Sequence, residues 1–386
     1  HVVLGTAYLR LGKPAEAITQ FSSAASAAPD NAGYQLALGI GLREAGDAAG
    51  ALTALDRAIA LSPGNAEAHF QRVEVLLALD RPQQAVDALR KLSETNAQPL
   101  RARIRLTEVL LAQQNPQEAS KILRDLAALP DAPYEVATRW LAAAQASGNL
   151  VEANEAAELL RTRYPGDAGA QYEVARFLAF TTQYERAEIA ARQALKLKKD
   201  DPEILYLLAA IEARSGKAKT AVATARKLVK LTPDSPANHF LLASLLQDNG
   251  QEEEARREYR ALLERTPEHS LALNNLANLL ADAGQLEEAH SLAQRAAAGM
   301  PENGMVLDTL GTIQHRLGQY AEAVATLEKA VALLPTQAVL IYHLGLAQAA
   351  LGQTQGARAS FERALTMEPD ARWARDARTK LGDLPG

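Results

Sequence analysis

Along the whole chain apolar residues recur at spacings of three and four, which is the period of one helix face. Around Gly284 the pattern is easily read: Leu276, Ala277 and Leu280 precede the glycine, and Ala289, Ala293 and Ala296 follow it. The pattern then restarts. Steps of 34 residues from Ala17 reach Ala51, Ala85, Ala119, Ala153, Ala187, Ala221, Ala255, Ala289, Ala323 and Ala357, with no insertion or deletion between them. Self-similarity at a fixed period of this size is the mark of a stacked-repeat architecture.

Two other residue types keep the same beat. Five residues before the alanine stand Gly12, Gly46, Gly148, Gly216, Gly250, Gly284, Gly318 and Gly352. Twelve residues after it stand Pro29, Pro63, Pro165, Pro233, Pro267, Pro301, Pro335 and Pro369. Glycine can take the left-handed conformation that stops a helix and reverses the chain. Proline lacks an N–H, so it closes one unit and opens the next. The alanine sits where two helices cross, and a larger side chain would push them apart. Each unit is therefore helix, tight turn, helix, short loop. Two short helices cannot bury their apolar faces alone, so neighbours must stack.

These residues resemble the tetratricopeptide-repeat family. Its pattern reads in Leu4-Gly5, Tyr8, Gly12, Ala17, Phe21, Ala24 and Pro29, and again in Leu344-Gly345, Gly352, Ala357, Phe361, Ala364 and Pro369. The resemblance implies an all-α, right-handed α-solenoid of about eleven 34-residue helix-turn-helix units with a C-terminal capping helix. The units fall near 1–31, 32–65, 66–99, 100–133, 134–167, 168–201, 202–235, 236–269, 270–303, 304–337 and 338–369, with the cap over 370–386. In the cap, Trp373, Ala377 and Leu381 share one face, while Arg372, Arg375, Asp376, Arg378 and Lys380 cover the others. A solenoid needs such a polar-backed end. By the family frame His1 is the fourth residue of a unit, so a C-terminal part of a longer protein is expected.

Units three, four and six depart from the pattern. Asp80, Gln114 and Thr182 replace the turn glycine; Ala97, Asp131 and Lys199 replace the closing proline, with Pro99, Pro130 and Pro202 nearby. Drift that the turn tolerates is one reading, and a softened hinge is the other.

Composition narrows the function classes. Of 386 residues 5% are aromatic and 23% charged, the formal net charge is −5, and acids and bases are interspersed. That balance argues for a folded chain and against a nucleic-acid partner, although a local basic patch stays open. There is no cysteine, which removes disulfides, thiolate metal sites and cysteine nucleophiles. No apolar run approaches the roughly 18–20 residues that span a bilayer.

Catalytic motifs are missing too. The histidines, among them His69, His239, His269, His290, His315 and His343, show no metal-ligand spacing with a carboxylate. The stretch Gly5 to Lys13 has the wrong spacing for a phosphate loop, and Pro14 stands in the hydroxyl position. Glu252, Glu253 and Glu254 suit the start of a helix, where negative charge favours the dipole. The expectation is a scaffold with no enzymatic activity and no cofactor.

In the resembling family the first helix of each unit lines a concave groove through unit positions 2, 5, 6, 9, 12 and 13. Position 5 holds Phe70, Tyr172, Tyr206, Phe240 and Tyr342. They are either partly buried packing spacers or a ladder for an extended peptide, a helix or a sugar chain. Arg101, Arg105, Arg139 and Arg176 fall on inner positions beside Glu67, Glu74, Glu108, Glu135 and Glu173. Mixed signs suggest a self-neutralising lattice more than an anion trap. Leu36, Ile40 and Gln71 occupy the places where the family's carboxylate clamp needs Lys or Asn, so the clamp is absent. Asn274, Asn275 and Asn278 give one rung of the asparagine ladder of sugar-transferase members, but Asp308, Thr309 and Thr312 do not extend it.

The stretches at 273–289 and 306–331 resemble terminal repeats of bacterial exopolysaccharide-export proteins, including the repeat lipoproteins of exosortase-type systems. That resemblance implies a periplasmic or outer-membrane-associated scaffold, favoured over a cytoplasmic one. The expected partner is a protein or peptide, with polysaccharide possible. The alternatives are a recruiting or regulatory arm of an enzyme whose catalytic domain lies upstream, and a polysaccharide-binding conduit element.

Overall fold

A computed structural model describes residues 1–94 and 99–385. Ala97, in a closing-proline place, lies outside the described residues. Described residues form 23 helices and no strand. The chain divides into two compact units, His1–Thr181 and Thr182–Gly386.

The first unit holds α1 (Val2–Arg10), α2 (Pro14–Ala27), α3 (Ala32–Glu44), α4 (Ala48–Leu61), α5 (Ala66–Ala78) and α6 (Pro82–Ser93). It continues with α7 (Pro99–Ala112), α8 (Pro116–Ala127), α9 (Tyr134–Ala146), α10 (Leu150–Arg163) and α11 (Ala168–Phe180). The second unit holds α12 (Tyr184–Leu197), α13 (Pro202–Arg214), α14 (Ala218–Leu231), α15 (Pro236–Asp248), α16 (Glu252–Arg265) and α17 (Ser270–Asp282). It ends with α18 (Leu286–Gly299), α19 (Gly304–Arg316), α20 (Tyr320–Leu333), α21 (Ala338–Ala350), α22 (Thr354–Met367) and α23 (Ala374–Asp383). Consecutive helices pack in pairs, and in the second unit α17 touches α19 and α19 touches α21.

All eleven alanines of the repeat are at 0% exposure. The opposite side of each crossing is equally close. A Cβ at Gly5 would lie 2.5 Å from the Phe21 ring, one at Gly311 2.5 Å from Leu327, and one at Gly345 2.8 Å from Phe361. Small residues on both helices let the backbones approach, and the bulky Phe21, Leu327 and Phe361 fill the gap between them.

The turn glycines have φ between 68° and 84°. Asp80, Gln114 and Thr182 take the same left-handed conformation, with φ of 55°, 57° and 59°. Two of these turns also keep the bond that closes the glycine turns. The Arg81 N–H donates to the Leu76 carbonyl and Asn115 to Leu110, each at 2.9 Å, as Lys13 donates to Tyr8 at 2.9 Å. The hairpin geometry persists without glycine, and the backbone strain falls on the substituted residue.

The cap is α23. Ala377 is fully buried, Trp373 and Leu381 pack against the core, and Arg372, Arg375, Arg378 and Lys380 point outward.

Candidate functional site

The first helices of the hairpins, α1, α3, α5 and so on, carry the candidate binding positions, and their chemistry differs between the two compact units. In the first unit it is charged. Arg105 donates to both Glu74 oxygens at 3.0 and 2.8 Å and to Glu108 at 2.9 Å, and Arg139 reaches the other Glu108 oxygen at 2.8 Å. Arg101 donates to Glu67 at 3.2 Å, and its guanidinium lies 4.0 Å above the Phe70 ring. Apart from Arg105–Glu108, which lies within α7, these pairs link positions about one repeat apart and tie a first helix to its predecessor. Arg176 instead holds Glu173 within α11. The arginine stripe is thus occupied by glutamates, as a self-neutralising lattice requires. The pairs are partly exposed, so each contributes roughly 0–1 kcal/mol.

The aromatic positions separate. Phe70 is buried beneath Arg101. Tyr342 is buried as well: its ring stacks on Trp373 at 5.0 Å, and its hydroxyl donates to Asp376 at 2.7 Å. Burial, helped by that acceptor, pushes the Tyr342 phenol well above its ordinary value. Phe240 packs on Tyr259 at 6.0 Å and stacks on His269 at 5.2 Å. Tyr172 is half-buried in the first unit. Tyr206, on α13, is 43% exposed, and among the described residues no ring contact joins it to Phe240.

Beside Tyr206 and Phe240 stand the partly exposed apolar residues Leu207, Ala210 and Leu241, with Glu203 and Arg214 exposed towards the two ends of α13. Further along, Leu271 on α17 is 42% exposed and Met305 on α19 is 50% exposed. Between them amides and hydroxyls take over. Asn278 donates to Thr309 at 3.1 Å, Asn274 to Asn275 at 3.2 Å, and Asn275 to the buried Tyr259 hydroxyl at 2.9 Å. The Asn274 carbonyl oxygen is shielded and has no hydrogen-bond partner. Leu271 and Met305 are not among the positions expected from the sequence, although both stand at unit position 2 in the same frame. His343 contacts Asp308 at 2.8 Å. Burial lowers the His315 pKa, and His343 and Lys380 lower it further.

A second polar cluster is internal. Glu212 is at 0% exposure, accepting from Arg192 at 2.6 Å and Thr224 at 2.7 Å. Arg192 also reaches Glu188, which takes Lys217 at 2.6 Å. The cluster ties α12, α13 and α14 together. Among the described residues no group of three or more metal-ligating side chains could hold an ion, and no helix is long and apolar enough to cross a membrane.

Two tetratricopeptide-repeat family models match the chain, one over residues 2–66 and 240–304, the other over 42–102 and 314–381. A model described as anaphase-promoting complex, cyclosome, subunit 3 matches residues 181–262. No curated protein sequence matches. Among solved structures, the APC/C hetero-tetramer Cut9–Hcn1 is similar at 13% identity, covering 98% of this chain and 89% of that one, with TM-score 0.52. A tetratricopeptide-repeat protein of Parabacteroides merdae is similar at 17% identity, covering 65% of this chain and 99% of its own, also with TM-score 0.52. At such identities the likeness is one of fold. The repeat models together span more than half of the sequence, and the buried alanines and left-handed turns recur at their period: the chain belongs to the tetratricopeptide-repeat family.

Proposed function

We propose that this protein is a non-catalytic scaffold that holds a protein or peptide partner along the first-helix face of its second compact unit. The observation that supports the reading is the exposure of Tyr206, Leu271 and Met305 on first helices whose other faces are buried. Large apolar side chains left open beside amides offer a partner anchoring contacts and backbone hydrogen bonds together. Asn274 and Asn278, both partly exposed on α17, are the amides best placed for the second task. Tyr206 is the anchor of choice among the aromatics, because Phe70, Phe240 and Tyr342 already serve packing. In the first unit Arg101, Arg105, Arg139 and Arg176 are held by glutamates, so an anionic polysaccharide has to compete with those pairs.

Site-specific photo-crosslinking tests the reading. A benzophenone at position 206 should trap a polypeptide in cells of the source organism, and one at position 253, on a second helix, should not. No polypeptide adduct at position 206, or equal adducts at both positions, would overturn the reading; a sugar adduct would favour the polysaccharide-conduit alternative.

For the setting we infer a bacterial envelope assembly serving exopolysaccharide export, in the periplasm or at the outer membrane. The support is the sequence resemblance at 273–289 and 306–331. Fractionation of the native protein that left it wholly in the cytosol would refute this placement.

A further inference from the structure

Residues 192–230 contain ten Lys and Arg against four Asp and Glu, a net charge of +6 within a chain whose total is −5. Five of the seven lysines of this segment, Lys196, Lys198, Lys199, Lys227 and Lys230, stand at the ends of α12 and α14 and in the loop after α12, at one edge of the second compact unit, whereas Lys217 and Lys219 lie at the opposite end of α14. Lys227, on the last turns of α14, holds Asp200 at 2.5 Å, which brings the 198–201 loop against that helix. In the same loop Lys198 holds Asp201 at 2.6 Å. Lys230 follows Lys227 by three residues, so the two share a helix side. Lys196 occupies in α12 the place that Lys230 occupies in α14, one repeat apart. Lys196, Lys199 and Lys230 are exposed and form no close ion pair among the described residues, although Lys199 feels the charge of the neighbouring Asp200. Glu203, also exposed, is in no close ion pair of this edge but feels the charge of Lys198.

The edge has an apolar component with the same spacing. Leu197 and Leu231 follow Lys196 and Lys230 and are 41% and 43% exposed. The pattern ends abruptly, because the next two equivalent positions, in α16, are Glu264 and Arg265.

We propose that this lysine–leucine edge, formed by the ends of α12 and α14 and the 198–201 loop, is a docking surface for an acidic polypeptide segment carrying an aliphatic side chain. Carboxylates are the ligands these ammonium groups already take, since Asp200 and Asp201 each occupy one. Three further lysines stand ready for carboxylates from outside, and Leu197 and Leu231 give an aliphatic residue a place between them. Nucleic acid fits less well. None of residues 196–201 and 227–231, which form the edge, is an aromatic on which a base could stack, and the charges they offer are point-like ammonium groups, not the planar forks suited to phosphate. A bilayer fits less well too, because two half-exposed leucines offer little surface to bury among acyl chains.

Fluorescence anisotropy with the full chain and a labelled peptide Glu-Glu-Leu-Glu-Glu-Leu-Glu-Glu tests the proposal. Lys196→Glu with Lys230→Glu should weaken binding about tenfold or more. Replacing the peptide leucines by alanine should weaken it by roughly fivefold to tenfold, and added salt should weaken it further. Lys329→Glu, an exposed change on α20, should leave affinity unchanged. Unaltered affinity in the double variant, indifference to the peptide leucines, or tighter binding of duplex DNA or phosphatidylserine vesicles than of the peptide would overturn it. All the variants are at exposed positions, and matching melting curves would show that any loss is not one of folding.

Discussion

Gly345→Ala and Gly382→Ala make the same chemical change in helices of the second unit and should have opposite effects. A Cβ at Gly345 would stand 2.8 Å from both Phe361 Cδ1 and Cε1, where ordinary contact begins at 3.4 Å. The shortfall is about 0.6 Å on a repulsive wall, and the ring has little room to retreat. Phe361 is at 0% exposure and lies 6.2 Å from Tyr342, which is itself stacked on Trp373. Overpacking of this kind costs about 1–3 kcal/mol. The better helix propensity of alanine returns up to about 1 kcal/mol, which leaves a net loss of about 1 kcal/mol. At Gly382 nothing lies within 4 Å of the added carbon. Only the propensity term acts there, a gain of up to about 1 kcal/mol near a helix end. Because a repeat array need not unfold in one step, the assay should report on this region alone. Trp140→Phe leaves Trp373 as the only tryptophan, so its fluorescence during urea unfolding follows the last hairpin and the cap. Adding Phe361→Leu should remove most of the penalty of Gly345→Ala, giving a coupling energy of roughly 1 kcal/mol. Stabilisation by Gly345→Ala equal to that by Gly382→Ala would refute the close approach at this crossing.

Three further outcomes are expected. Ala255→Leu, at a fully buried crossing, should cost about 1–3 kcal/mol, whereas Glu253→Leu, on an exposed side, should stay within about 1 kcal/mol; equal shifts in thermal melts would mean the helix register is wrong. Asp80→Gly and Gln114→Gly should each stabilise the first unit by a few tenths to about 1 kcal/mol, the left-handed strain removed less the added freedom of the unfolded chain; urea midpoints that fall would show the turns carry no strain. The hydrogen bond from Lys217 holds the Glu188 carboxyl below its ordinary value, with Arg192 adding to it against burial, while burial pushes Glu212 up. Glu188 therefore contributes stability above the ordinary carboxylate range and loses it as pH falls through the lowered value. Glu212 contributes below that range and loses its contribution as pH rises through the raised value. Stability profiles against pH should show Glu188→Gln flattening the acid side and Glu212→Gln steepening it; parallel profiles would refute the assignment.

The hairpins were legible in the sequence because their determinants are local and repeated. A glycine that permits a left-handed turn, a proline that bars a helix interior and an alanine at every crossing act within a few residues of themselves. Eleven repetitions make their period unmistakable. Even Asp80 and Gln114, where the glycine is lost, obey the register, since the flanking helices fix where the turn must fall.

What each side chain on the first-helix face does was settled only by the packing. Phe70, Phe240 and Tyr342 share one position of the repeat, yet one lies beneath a guanidinium, one stacks on His269 and one is clamped by Trp373 and Asp376. Arg105 and Glu74 are 31 residues apart, and nothing local states that they meet. The fully buried Glu212 and the gathering of Lys196, Lys199 and Lys230 likewise depend on how one hairpin lies against the next. A repeat period fixes the elements because backbone preference is local. Partnership, exposure and charge environment depend on neighbours a full repeat away, and there each side chain's role is set by the residues that happen to face it.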